Sequence, residues 1–142
     1  MIKFLTLFFI STAAFAAPHL ILEKHAVSGY VMPEDSFVKE CRIYREGYLE
    51  TYTKKGDGTS VGASMQVNAV QIAGIRTLIR LSENASMKIS PMPCDIGTVI
   101  VKGHRLGQVI ELESSIDCGE KRLNNSYSAR VLRSMAESLC GF

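Results

Sequence analysis

Chemistry in a chain this size would have to come from its four cysteines, three histidines or fourteen acids, each needing partners at a set spacing. Cys41, Cys94, Cys118 and Cys140 include no C-x-x-C pair, so neither a redox dithiol nor a zinc knuckle is encoded. His25 falls in an irregular lead-in and His104 on a hairpin tip between Gly103 and Arg105, where solvated loop histidines are the ordinary reading. No H-E-x-x-H or G-x-S-x-G motif is present. Glu111 and Glu113 alternate along one strand, which reads as a solvated sheet face rather than an acid and base pair. The expectation is a non-enzymatic protein with no catalytic residue, no cofactor and no metal site.

The N-terminus sets the context for those cysteines. Lys3, the apolar run through Leu5, Phe8, Phe9 and Ile10, and the A-x-A of Ala14-Phe15-Ala16 predict a Sec-type signal peptide over residues 1–16. Cleavage is expected between Ala16 and Ala17, leaving a domain over 17–142 that is secreted or periplasmic, with no permanent membrane anchor. In an exported chain an even cysteine count reads as two disulfides. His19 would then be the third residue, the position of an N-terminal copper chelate, but Pro18 lacks one of the amide protons that chelate needs. Losing Lys3 leaves fifteen cations against fourteen anions, a net charge of +1, which predicts no nucleic-acid partner.

The elements that must position these residues follow from periodicity. Phe37, Cys41 and Ile43 alternate, Glu46-Gly47 offers a turn, and Tyr48, Leu49 and Tyr52 continue a first hairpin. Lys54 to Ser60 has turn composition and is expected to be an exposed loop. Val67, Val70, Gly74, Ile75, Leu78 and Leu81 predict a first helix, ended by Ser82-Glu83-Asn84. Thr98 to Val101 and Gln108 to Glu113 predict a second hairpin, with Gly103 and Gly107 supplying the bends. Tyr127, Val131, Leu132, Met135 and Leu139 predict a final helix from Ser126 to Cys140, capped by Asn124 or Asn125. Asn84 and Asn124 each begin an N-x-S acceptor pattern, but both carry structural roles and no sugar is expected.

The predicted fold is α+β, a two-layer sandwich in the order ββαββα: a four-stranded antiparallel sheet with two helices on one face and two disulfides. Setting Val101 and Val99 opposite Ile110 and Leu112 brings Cys94 beside Cys118. That pair closes the hairpin base, and Cys41 then bonds Cys140, tying the last helix to the first strand. A Cys118–Cys140 bridge is disfavoured because a helix of about 20 Å separates the two. An offset of sixty aligns Gly47 with Gly107, Ile72 with Leu132, Ile75 with Met135 and Ile79 with Leu139, the pattern of an internal duplication.

Ser90-Pro91-Met92-Pro93-Cys94-Asp95 is the one segment with the stiffness of a docking loop, and Pro91, Met92 and Pro93 are its candidate binding residues. Pro91-Met92 after a helix, followed by a hairpin and Cys118, is similar to the arrangement in the subtilisin-inhibitor family. That resemblance implies an exported protease inhibitor acting through Ser90 to Asp95. It covers about a third of the chain, places its cysteine after Pro-Met rather than before, and sets Pro93 where cleavage would occur. The leading expectation is therefore a small exported binding or structural module whose partner is another protein, with protease inhibition as the alternative.

Overall fold

The computed structural model describes residues 18–142; the signal peptide and its cleavage point lie outside the described residues. Eight strands form one antiparallel sheet: β1 (Leu20–Val27), β2 (Phe37–Tyr44), β3 (Tyr48–Lys55), β4 (Ser60–Gln66), β5 (Met87–Pro91), β6 (Thr98–Arg105), β7 (Gln108–Ser115) and β8 (Glu120–Asn124). Helix α1 (Ala69–Ser82) follows β4, and α2 (Tyr127–Cys140) follows β8. The strand order is β4-β3-β2-β1-β6-β7-β8-β5. The fold is α+β with two helices and two disulfides, but its sheet has eight strands where four were expected.

The four unexpected strands share a cause: none carries a clean apolar alternation. In β1 the neighbours Ile21 and Leu22 are both buried at a register irregularity between Leu20 and Leu22, and the inward positions continue as Lys24 and Ala26. Strand β4 is an edge, exposed along its whole length, so burial imposes no pattern on it. Strands β5 and β8 are five residues each, and β5 ends in Pro91, which a sheet accepts at its rim. The predicted Lys54 to Ser60 loop contracts to a turn around Gly56-Asp57-Gly58, because β3 runs on to Lys55 and β4 begins at Ser60.

Both helices lie on one sheet face and touch each other, α1 resting on β6, β1 and β7, and α2 on β7 and β1. Leu22, Ile43, Leu49, Val101 and Leu112 from the sheet meet Ile75, Ile79 and Leu132 in the core, all with essentially no exposure. The buried stripe of α1 is Ile72, Ile75, Ile79 and Ser82. Val70 and Leu81, counted toward the core from their spacing, face outward instead. In α2 the buried stripe is Ala129, Leu132, Ala136 and Cys140, while Tyr127 is exposed. Ala129 and Ala136 are the small residues of this stripe, where α2 packs against α1 and the sheet.

The caps are local. Asn68 Oδ1 accepts from Gln71 N at 2.8 Å, and Gln71 Oε1 accepts from Asn68 N at 3.4 Å, closing a capping box on α1. For α2 the cap is Ser126, whose Oγ accepts from Ala129 N at 3.0 Å, rather than Asn124 or Asn125. Asn124 stands one step behind. Nearly buried, it donates to Ser82 O at 2.9 Å and accepts from Ser126 Oγ at 2.8 Å, so it joins the end of α1 to the start of α2.

The bridges are Cys41–Cys140 and Cys94–Cys118. Cys41 sits on the second strand of the sheet, since β1 precedes it. The second hairpin has a different register from the expected one: Val101 lies opposite Glu113 and Val99 opposite Ser115, with an irregularity at Val101/Lys102. Cys94 still reaches Cys118 because Asp95 and Gly97 turn the chain through positive φ, 68° and 91°. Gly107, with φ 78°, does supply the bend of this hairpin, whereas Gly103 is a strand residue.

The aligned halves do recur as β2-β3-β4-α1 and β6-β7-β8-α2. They are not a superimposable repeat. Strands β2 and β6 flank β1 and both run antiparallel to it, so the meanders leave β1 in opposite directions with the same strand sense. With both helices on one face, no rotation brings one unit onto the other, and the match at sixty is one of pattern only.

Candidate functional site

Of the histidines, acids and loop residues singled out in the sequence, only His19 and His104 come to one place, the lining of a single cleft. Ser90 and Pro91 pair with Lys121 and Glu120 in the β5–β8 ladder, and Met92 N donates to Gly119 O at 3.0 Å. The segment beyond is clamped by Cys94–Cys118 and by Ile96 N donating to Asp117 Oδ1 at 3.2 Å. The first two of the six residues of the expected docking loop are therefore the end of an edge strand, paired on one side with β8.

His25 and His104 are strand residues, not loop residues, on the face away from the helices. His25 Nδ1 is 3.7 Å from Glu40, which holds Arg42 at 3.0 Å. His104 Nε2 is 3.2 Å from Glu23, which Lys102 also approaches at 3.8 Å. Arg122, at 3.3 Å from Glu111, extends this ladder of alternating charge. Glu113 has left that face: the irregularity in β7 turns it toward α2, where it lies 3.7 Å from Arg133 and 3.6 Å from Lys121. The two acids thus occupy opposite faces, each with its own cation. His19 pairs with Glu46 at 2.9 Å, and the Glu46 carboxyl is held below its ordinary range by the bond from His19.

A cleft of about 870 Å³ lies between α1, the start of β1 and the β6–β7 turn, and His19 and His104 are both among its lining residues. Its apolar floor is Leu20, Ile21 and Ile79, and its walls carry Arg45, Arg76, Arg80 and Arg105. Helix geometry puts Arg76 and Arg80, four residues apart, on one exposed flank of α1 beside the buried stripe of Ile72, Ile75 and Ile79. The β2–β3 turn brings in Arg45, and the end of β6 brings in Arg105. Among the described residues, no acid lines the cleft.

The four guanidiniums are not equivalent. Arg105 is held by Glu83. Arg45, Arg76 and Arg80 have no carboxylate within ion-pair reach among the described residues. Arg133, by contrast, donates to Leu112 O at 2.9 Å and Asn124 O at 3.1 Å and lies against Glu113. Arg45, Arg76 and Arg80 are solvent-exposed, and an anion seated among them would accept forked N–H donors from more than one guanidinium. The volume falls within the range of small-ligand sites.

Reading in sequence did not single out Arg45, Arg76, Arg80 or Arg105. The i, i+4 pair on the polar side of α1 was the only local signal, and a net charge near zero hid the cluster. Among the described residues, no group of three or more histidines, cysteines or acids is disposed to hold a metal, and no helix is long and apolar enough to cross a membrane. No family model, curated protein or solved structure matches the chain.

Proposed function

We propose that this chain is an exported, non-catalytic binding module that seats a multiply charged anion in the arginine cleft beside α1. The observation that carries the reading is the convergence of Arg45, Arg76 and Arg80 on one cleft without acidic partners among the described residues. The signal-like leader and the two disulfides support a working place outside the cytosol, in a periplasm or beyond the cell. The ligand is one whose carboxylate or phosphate oxygens are clustered, and the partner protein presents it as an acidic segment. Paired charge-assisted bonds across such a site each contribute about 1.5 to 3 kcal/mol.

Thermal melting of the purified protein with inorganic pyrophosphate, or with a short oligoglutamate peptide, tests this reading. A rise in Tm with either probe that disappears at high salt is the expected result. No rise with either, or one equally given by a neutral sugar, would remove the basis of the proposal.

A further inference from the structure

The two rims of the sheet are treated differently. At one rim β5 carries Lys88 and ends in Pro91, a charge and a missing N–H that discourage further pairing. At the other rim β4 reads Ser60-Val61-Gly62-Ala63-Ser64-Met65-Gln66, seven residues with no charge and no proline, exposed throughout. The second meander ends in β8, whose outer edge β5 covers; the first ends in β4, whose outer edge pairs with no strand among the described residues. A long, neutral, unguarded edge is a template for another strand.

We infer that β4 pairs with β4 of a second copy, antiparallel about a twofold axis through Ala63, joining two sheets into one of sixteen strands. The strand is self-complementary in that register. Ala63 meets its own copy, Val61 faces Met65 of the other chain and Ser60 faces Gln66, so no like charges oppose each other. Val61 and Met65 are 66% and 56% exposed, on the side of the sheet that carries the helices, and the pairing covers both. The contact closes on itself as a dimer, whereas β4 against β5 of another copy would propagate head to tail and meet Pro91 and Lys88. An interface made of one strand pair is small, so the dimer depends on concentration.

Sedimentation velocity of the purified protein over a wide concentration range reads the association, with hydrogen exchange of the β4 amides as an independent reporter. A monomer–dimer equilibrium is expected, with slower exchange over residues 61–65 as concentration rises. The double variant Val61→Lys/Met65→Lys puts two like-charged pairs across the axis and should lose the dimer. Val61→Glu/Met65→Lys puts opposite charges across the same positions and should restore it. A protein that stays monomeric at every concentration, a β4 edge that captures only extended peptides of other sequence, a dimer that survives the first variant, or failure of the second to restore it would each overturn the proposal.

Discussion

Gly103 of β6 lies directly beneath Ile79 of α1: a Cβ built on the glycine would stand 3.0 Å from Ile79 Cγ1. This missing side chain lets the helix settle onto the sheet, and the same turn of helix carries Arg80 to the cleft wall. Gly103→Ala forces Ile79 aside and should cost about 1 to 3 kcal/mol, in the range of other overpacking changes. Thermal unfolding should show Tm falling by several degrees. An unchanged Tm would mean that α1 is not seated by this contact.

Asn124 carries the junction between the helices. Its amide serves the carbonyl of Ser82 and the cap residue Ser126 from a nearly closed position. Asn124→Ala should cost about 1 to 2 kcal/mol, because Ser82 O loses the shorter of its two donors and keeps only Ala85 N at 3.4 Å. Ser126→Ala should cost about 1 kcal/mol as a lost cap. The residues touch, so urea unfolding of the double variant should show less than the sum of the two losses. Asn124 is also shut off from a glycosyltransferase in the folded state, whatever its sequence pattern.

The bridges differ in loop size. Cys41–Cys140 spans a sequence separation of 99 and Cys94–Cys118 one of 24. In the chain-entropy model they contribute about 4 to 5 and about 3 to 4 kcal/mol respectively. Replacing each pair by alanine and comparing urea midpoints should show the larger loss for Cys41–Cys140, the more so because Cys41 is fully buried. Equal losses would argue that the long loop is already restrained in the unfolded chain.

Lys24 gives a pH signature. Burial pushes its pKa below the ordinary 10.5, against the pull of Glu137 and Glu113, and its ammonium donates to Phe142 O beneath the end of α2. Between the lowered folded value and 10.5, the unfolded chain binds a proton that the folded chain has released. Stability from this group therefore rises with pH through that window and is lost as pH falls through the folded value. Tyr44, raised by burial and by Glu50, works in the opposite direction near its own range, so the comparison must be with Lys24→Met. The variant should lack the alkaline rise that the unaltered protein shows in urea titrations; the same profile in both would assign the effect elsewhere.

How much of this was legible in the sequence depends on how local each signal is. Both helices and both main hairpins announce themselves, because amphipathic spacing and Gly47 or Gly107 act over a few residues. The bridge pairs followed from the closeness of Cys94 and Cys118 across one hairpin, although the register was displaced by the irregularity at Val101/Lys102. Strand β4 was illegible since an exposed edge needs no apolar residues, and β1 since Lys24 occupies an inward position where periodicity expects a hydrophobe. The cleft was illegible for another reason. Arg45, Arg76 and Arg105 are distant in the chain and meet only once β1 lies between β2 and β6.

The central claim is that the arginine cleft holds an anion, and calorimetric titration with inorganic pyrophosphate tests it most directly. The account predicts saturable binding to the unaltered protein at low salt, weakened at high salt. Arg76→Ala/Arg80→Ala should weaken it at least about tenfold, the equivalent of one lost charge-assisted bond. Arg42→Ala, on the opposite face and paired with Glu40, should leave it unchanged. Absence of binding, or equal affinity in the unaltered protein and the Arg76→Ala/Arg80→Ala variant, would contradict the account.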